Sequence, residues 1–169
     1  LNLGYRSEIY YGQLNRFALM VFNGLFGGFP HSRLFMNVRE KESMAYYASS
    51  SYDSFRGFVN VQTGIDATNR EKVLHLISEQ LITLQKGQIT DEELEQTKAM
   101  LKNSYLLSLD SPQALIEADY LDNWLPESVM DDETFLRCID EVTVAQVQKV
   151  AQSIQLQAIY FLEGEGANA

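Results

Sequence analysis

The side chains of this sequence that could do chemistry are few: two histidines, His31 and His75, one cysteine, Cys138, and Arg39 and Tyr46, which stand seven positions apart. Catalytic zinc commonly takes three protein ligands. The two histidines lie far apart, and no H-x-x-E-H, H-E-x-x-H or C-x-x-C occurs, so a zinc site made by this chain alone is not expected. His75 falls on an amphipathic helical stretch and reads as a flank residue. His31 sits in a loop before a short helix, either as a polar turn residue or as a ligand contact. Cys138, in Phe-Leu-Arg-Cys-Ile-Asp, reads as an inert thiol at a buried helix position. G-x-S-x-G, a P-loop lysine and G-x-G-x-x-G are all missing, which removes the usual marks of acyl-serine chemistry, phosphoryl transfer and dinucleotide binding.

The elements that must position these residues converge on Asn23 to Tyr47. Leu1, Leu3, Tyr5 and Ile9 alternate as in a strand over Leu1 to Ile9. Leu14, Phe17, Ala18, Val21, Phe22 and Leu25 then recur at helical spacing from about Tyr10 to Phe26, and Gly27-Gly28 reads as a left-handed stop. Ser32 is available to cap a short helix running to Lys41, whose inward residues Leu34, Phe35 and Val38 put Arg39 on a flank. That helix delivers Arg39 and Tyr46 to the edge of a sheet.

Ala45 to Ile65 is rich in aromatic and β-branched residues and reads as a hairpin turning at Asp53-Ser54-Phe55-Arg56-Gly57. A long helix follows, with Thr68 and Glu71 as a capping box and Gly87 as its end. Thr90-Asp91-Glu92-Glu93 opens another, Ser111-Pro112 a third, and two shorter helices fill 131–154. Leu156 to Leu162 closes as a strand, and Glu163 to Ala169 reads as a frayed polar tail. Strands and helices without regular βαβ alternation indicate α+β: a two-layer arrangement with one mixed or antiparallel sheet and helices on one face.

The 169 residues are expected to form a single domain, able to bury about two thirds of the unfolded surface. A net charge of −10 argues against nucleic acid or an anionic membrane surface as a partner. One cysteine permits no intrachain disulfide, and no apolar run reaches the roughly 18 residues of a membrane span. These features lead us to expect a cytoplasmic protein. The chain opens on strand-like residues without a methionine, which suggests a piece of a longer multi-domain chain.

Gly27-Gly28, then Ser32-Arg33-Leu34-Phe35-Met36-Asn37-Val38-Arg39-Glu40-Lys41, then Met44-Ala45-Tyr46 resembles the G-G-x-x-S-R-L-F-x-x-L-R-E-K-x-x-L-A-Y segment of the insulinase and pitrilysin family of zinc metallopeptidases. The wider clan includes the mitochondrial processing peptidase and the respiratory core proteins. The likeness runs through the hairpin, Thr90-Asp91-Glu92-Glu93-Leu94 and Ser108-Leu109-Asp110-Ser111-Pro112. It is closest to a non-zinc, C-terminal-type domain of bacterial members, with a processing-peptidase-like fold.

The resemblance implies repeated α/β domains that close around a chamber in which peptides are cut. The H-x-x-E-H zinc motif belongs to a different domain, so the zinc would sit in the parent or in a partner, with none bound by this chain. The family carries an Arg and a Tyr, seven residues apart, that face the zinc site across the chamber, and Arg39 and Tyr46 match that spacing. Gly27 and Gly28 fall where a longer glycine-rich loop handles substrate in the processing peptidase, and His31 lies beside them. The expected partners are a peptide substrate and a homologous zinc-bearing domain or subunit, in one chain or as a homo- or hetero-dimer. Alone, the chain is expected to be inactive. The alternative is a peptidase-derived scaffold that serves assembly only.

Overall fold

The computed structural model describes residues 1–164. Strands β1 (Asn2–Arg6), β2 (Tyr47–Asp53), β3 (Phe58–Gly64) and β4 (Gln155–Tyr160) form one antiparallel sheet in the order β2-β3-β1-β4. Successive strand side chains point to opposite faces. Leu3, Tyr5, Ala48, Ser50, Val59, Val61 and Thr63 are accordingly buried, while Ser49, Ser51 and Gln62 turn to the exposed face.

Among the described residues six α-helices accompany the sheet: α1 (Arg16–Asn23), α2 (Arg70–Gln85), α3 (Asp91–Ser108), α4 (Pro112–Trp124), α5 (Asp132–Asp140) and α6 (Val144–Ser153). Leu19, Phe22 and Phe26 from the α1 region, Val73, Ile77 and Leu84 from α2, and Val147 and Val150 from α6 join the buried strand residues in one core. The fold is therefore α+β, as the sequence leads one to expect.

Most helix ends obey their local chemistry. Thr90 and Glu93 form the expected capping box of α3, and Ser111 caps α4 with Pro112 in its first turn. Gly87, at φ +68°, ends α2: its N–H donates to Leu84 O, and Gln88 N–H donates to Thr83 O at 3.1 Å. In the hairpin, Asp53 Oδ1 accepts from Phe55 N–H and Arg56 N–H at 2.9 Å each, and Gly57 supplies the positive φ.

Four expectations fail. Helix α1 starts at Arg16, not Tyr10, because residues 10–15 turn back onto the hairpin. Tyr11 N–H donates to Ser54 O, and its ring stacks on Phe55. Leu14, assigned to the core stripe, is 78 % exposed. Gly27 and Gly28 do not adopt left-handed backbone, since only Gly57 and Gly87 among the described glycines do; α1 widens instead into a π-wound turn, Gly24–Gly28. Ser32 makes no capping bond, and its Oγ is buried without a partner. The proposed Thr68–Glu71 capping box is replaced by a 3-10 turn, Ala67–Asn69, that leads into α2 without a side-chain cap.

Two smaller departures are a shorter first strand and a less buried cysteine. The first strand stops at Arg6 rather than Ile9. Cys138 is only half buried on α5. Every residue of β4 is exposed, and α4 contains no buried residue. The expected polar tail lies, from residue 165 on, outside the described residues.

Candidate functional site

The connection from α1 to β2 is built to hold a backbone still. Where α1 meets the sheet, Gly27 lies so close to β2 that a Cβ there would stand 2.5 Å from Ser50 N, and one at Gly28 would stand 2.8 Å from Asn23 Nδ2. Asn23 Oδ1 accepts from Ser50 Oγ–H at 2.7 Å and stitches the turn to β2. Close approach of backbone to backbone therefore requires glycine at Gly27, whereas the nearest neighbour at Gly28 is the Asn23 side chain. Gly27 is buried and Gly28 is exposed.

Leu34–Lys41 follows as a short π-wound helix with Leu34 and Val38 fully buried. Arg33, at its head, donates to Thr83 Oγ1 at 2.6 Å, to Gln88 O and to both carboxylate oxygens of Glu93 at 3.1 and 3.2 Å. Glu93 is also the carboxylate of the α3 capping box, so one ion pair ties the short helix to the starting turn of α3. Asn37 Nδ2 donates to Gln80 Oε1 on α2 at 2.7 Å. The inner side of the short helix is thus clamped to two longer helices.

Its outer side carries Arg39. The guanidinium lies over the Phe35 ring at 4.5 Å, and its Nε is 3.7 Å from Glu40 Oε1, with the side chain 40 % exposed. An exposed pair of this kind contributes at most about 1 kcal/mol, so the guanidinium can exchange Glu40 for another acceptor. Ser43, at φ 51°, turns the chain toward β2, and Met44 N–H donates back to Val38 O at 3.2 Å.

Tyr46 immediately precedes β2 and extends its ladder, its N–H donating to Gly64 O at 2.8 Å. The side chain is 70 % exposed, and its hydroxyl donates to Asp66 Oδ1 at 3.3 Å, long for an O–H···O bond. Tyr47, the first residue of β2, lays its ring on Gly64, where a Cβ would come within 2.5 Å of Tyr47 Cε1. No hydrogen bond or ion pair joins Arg39 to Tyr46 among the described residues. The arrangement offers two hydrogen-bond donors on a fixed backbone, each with a weak present partner.

His31 is placed differently. Its ring stacks on Phe29 at 5.6 Å, and Nε2 lies 2.9 Å from Thr97 Oγ1 on α3. Burial holds its pKa below the ordinary histidine value, with the Glu93 carboxylate pulling weakly the other way. His75 is on the surface of α2, 3.2 Å from Glu79. Among the described residues no three His, Cys, Asp or Glu side chains cluster so as to hold a metal ion, and the donor set does not fit zinc. No helix among them is long and apolar enough to cross a membrane.

Sequence reasoning missed Arg33 and Asp66. Arg33 precedes the helix as an ordinary flanking cation, and its partners lie 50 to 60 residues away. Asp66 carries no local sign that it will meet a hydroxyl 20 residues upstream.

The family described as "Peptidase M16 inactive domain" matches residues 1–101. The chain is 43 % identical over 169 residues to the "Probable inactive metalloprotease YmfF" of Bacillus subtilis, covering 99 % of this chain and 39 % of that protein. It is 35 % identical over 113 residues to the "Uncharacterized zinc protease YmxG" of the same organism, covering 66 % and 27 %. A crystal structure of a conserved protein from Enterococcus faecalis V583 superposes with a TM-score of 0.96 at 56 % identity, over 99 % of this chain and 40 % of that one. The chain thus spans about two fifths or less of these relatives. With residues 1–101 matching that family and the G-G…S-R-L-F…R-E-K…A-Y segment lying within them, the chain belongs to the peptidase M16 inactive-domain family.

Proposed function

We propose that this domain forms one wall of the chamber of a longer or paired M16 peptidase and presents Arg39 and Tyr46 to a peptide held at a zinc centre carried by another domain or subunit. The supporting observation is a division of labour along the short helix. Arg33 and Asn37 are consumed in holding it to α2 and α3, whereas Arg39 and Tyr46 extend outward with a 3.7 Å ion pair and a 3.3 Å hydrogen bond as their side chains' present polar contacts, Arg39 also lying over Phe35.

Hydrolysis of a peptide builds negative charge on the carbonyl oxygen. A hydroxyl and a guanidinium aimed at that oxygen in a closed site stabilise it more than they stabilise the ground-state carbonyl, so their contribution falls on the rate of reaction. The planar guanidinium also suits a carbonyl row of an extended peptide. The name of YmxG, a zinc protease, supports a metallopeptidase parent.

The name of YmfF, a probable inactive metalloprotease at 43 % identity, favours a second reading, in which the longer protein is a peptidase-derived scaffold. Metal analysis and peptide cleavage separate the two. Under the first reading, residues 1–169 alone bind no stoichiometric zinc and cut no peptide, while the full-length protein, with its partner if it has one, cuts peptides and stops when a chelator is added. Zinc-dependent cleavage by residues 1–169 alone contradicts both. A full assembly that folds, binds no zinc and cuts nothing selects the scaffold.

A further inference from the structure

The two edges of the sheet are treated unequally. Against β2 pack the Gly24–Gly28 turn and the short helix, with Gly27 in close approach to Ser50. β4 pairs with β1 alone, and all six of its residues are exposed. Its sequence, Gln155-Leu156-Gln157-Ala158-Ile159-Tyr160, continued by Phe161, contains no charge and no proline. Natural sheets protect a free edge with charges, prolines, bulges or a covering element, because bare backbone N–H and C=O groups recruit other strands. β4 carries one such irregularity, a register shift opposite Gly4 and Tyr5 that skips Gln157, but neither charge nor proline, and an uncharged run of high β-propensity left exposed is the pattern that aggregates.

A cavity adjoins one end of this edge. Arg6 of β1 pairs with Gln155 of β4, and Ser7 and Ser153, which bracket that pair, line an opening of about 600 Å³ whose apolar walls include Ile9, Phe17 and Val150. The opening itself is lined from β1's far end, α1, α5 and α6, two residues short of β4 at Ser153.

We propose that β4 is an internal strand of a larger sheet, completed by an extended segment of the same longer polypeptide that lies outside residues 1–169. The segment pairs along β4 through its backbone and sets apolar side chains into the opening at the Gln155 end. Three observations favour this occupant. The Enterococcus faecalis chain that superposes at a TM-score of 0.96 is matched over only 40 % of its length, so relatives carry ample further polypeptide. A second copy would bring two chains of net charge −10 together edge to edge. A transient peptide would leave the edge bare between visits. The proposal does not depend on any role for Arg39 or Tyr46.

Amide hydrogen exchange on the full-length protein and on residues 1–169 reads this directly. Peptides spanning 155–161 should exchange at least tenfold more slowly in the full-length protein, independently of concentration, while β1 peptides are protected in both. Should residues 1–169 fail to fold, a photo-cross-linker at Gln157 in the full-length protein serves in its place, and it should trap a segment outside 1–169 of the same molecule. Fast exchange of 155–161 in the full-length protein overturns the proposal. So do protection that grows with concentration, protection that needs an added peptide, or a cross-link that lands on a second molecule.

Discussion

Arg33 and Arg39 show how two residues of one type, six positions apart, come to different uses. Arg33 is nearly buried, and its bonds to Thr83, Gln88 O and Glu93 anchor the helix that carries Arg39. Arg33→Ala leaves those acceptors without their donor, so we expect a loss of roughly 2–4 kcal/mol in urea unfolding. Arg39→Ala, whose partner is exposed, should cost under about 1 kcal/mol; equal losses would contradict the division. His31 gives a pH signature. Its folded pKa lies below its unfolded value of 6.5 because burial disfavours the charged ring. The folded state therefore resists protonation, and the contribution of His31 to stability is whole above pH 6.5 and declines as pH falls through the unfolded pKa. Denaturation midpoints should drop between pH 7 and pH 5, and His31→Gln should flatten that drop. An unchanged slope in the variant would locate the effect in other groups. The residue types of the candidate site were legible in the sequence, but their partners were not, since Arg33 reaches 60 positions and Tyr46 reaches 20.

Among the elements, those governed by local chemistry were legible. The capping box at Thr90, the serine and proline that open α4, the Asp53 to Gly57 turn and the Gly87 stop each need only neighbours within about five residues, and each is present. Elements decided by tertiary contact were misread. Residues 10–15 have helical periodicity, but Tyr11 is drawn to the hairpin tip, and the glycines after α1 answer the nearness of β2 rather than a left-handed bend. Gly27→Ala tests the latter. A Cβ at 2.5 Å from Ser50 N must displace backbone, and overpacking of this kind typically costs about 1–3 kcal/mol. Calorimetry should record a clearly lowered Tm. Had the glycine been a left-handed stop, Asn would restore much of the loss; we expect Gly27→Asn to be at least as damaging as Gly27→Ala.

For the whole molecule, the fold class and family were legible because the S-R-L-F…R-E-K…A-Y segment and the α+β element order survive in a single sequence. The bareness of β4 was not, because whether an alternating apolar strand is covered depends on what lies beside it. On the reading proposed above, Arg39 and Tyr46 complete a peptidase site whose zinc is carried by another domain or subunit. Steady-state kinetics of Tyr46→Phe and Arg39→Ala in the full-length, partner-complete protein test it most directly. Donors that act on developing charge predict kcat lower by roughly 10²–10³ for each variant, with KM changed far less and the zinc content unchanged. Unchanged kcat in both variants, or a loss confined to KM, would contradict the account.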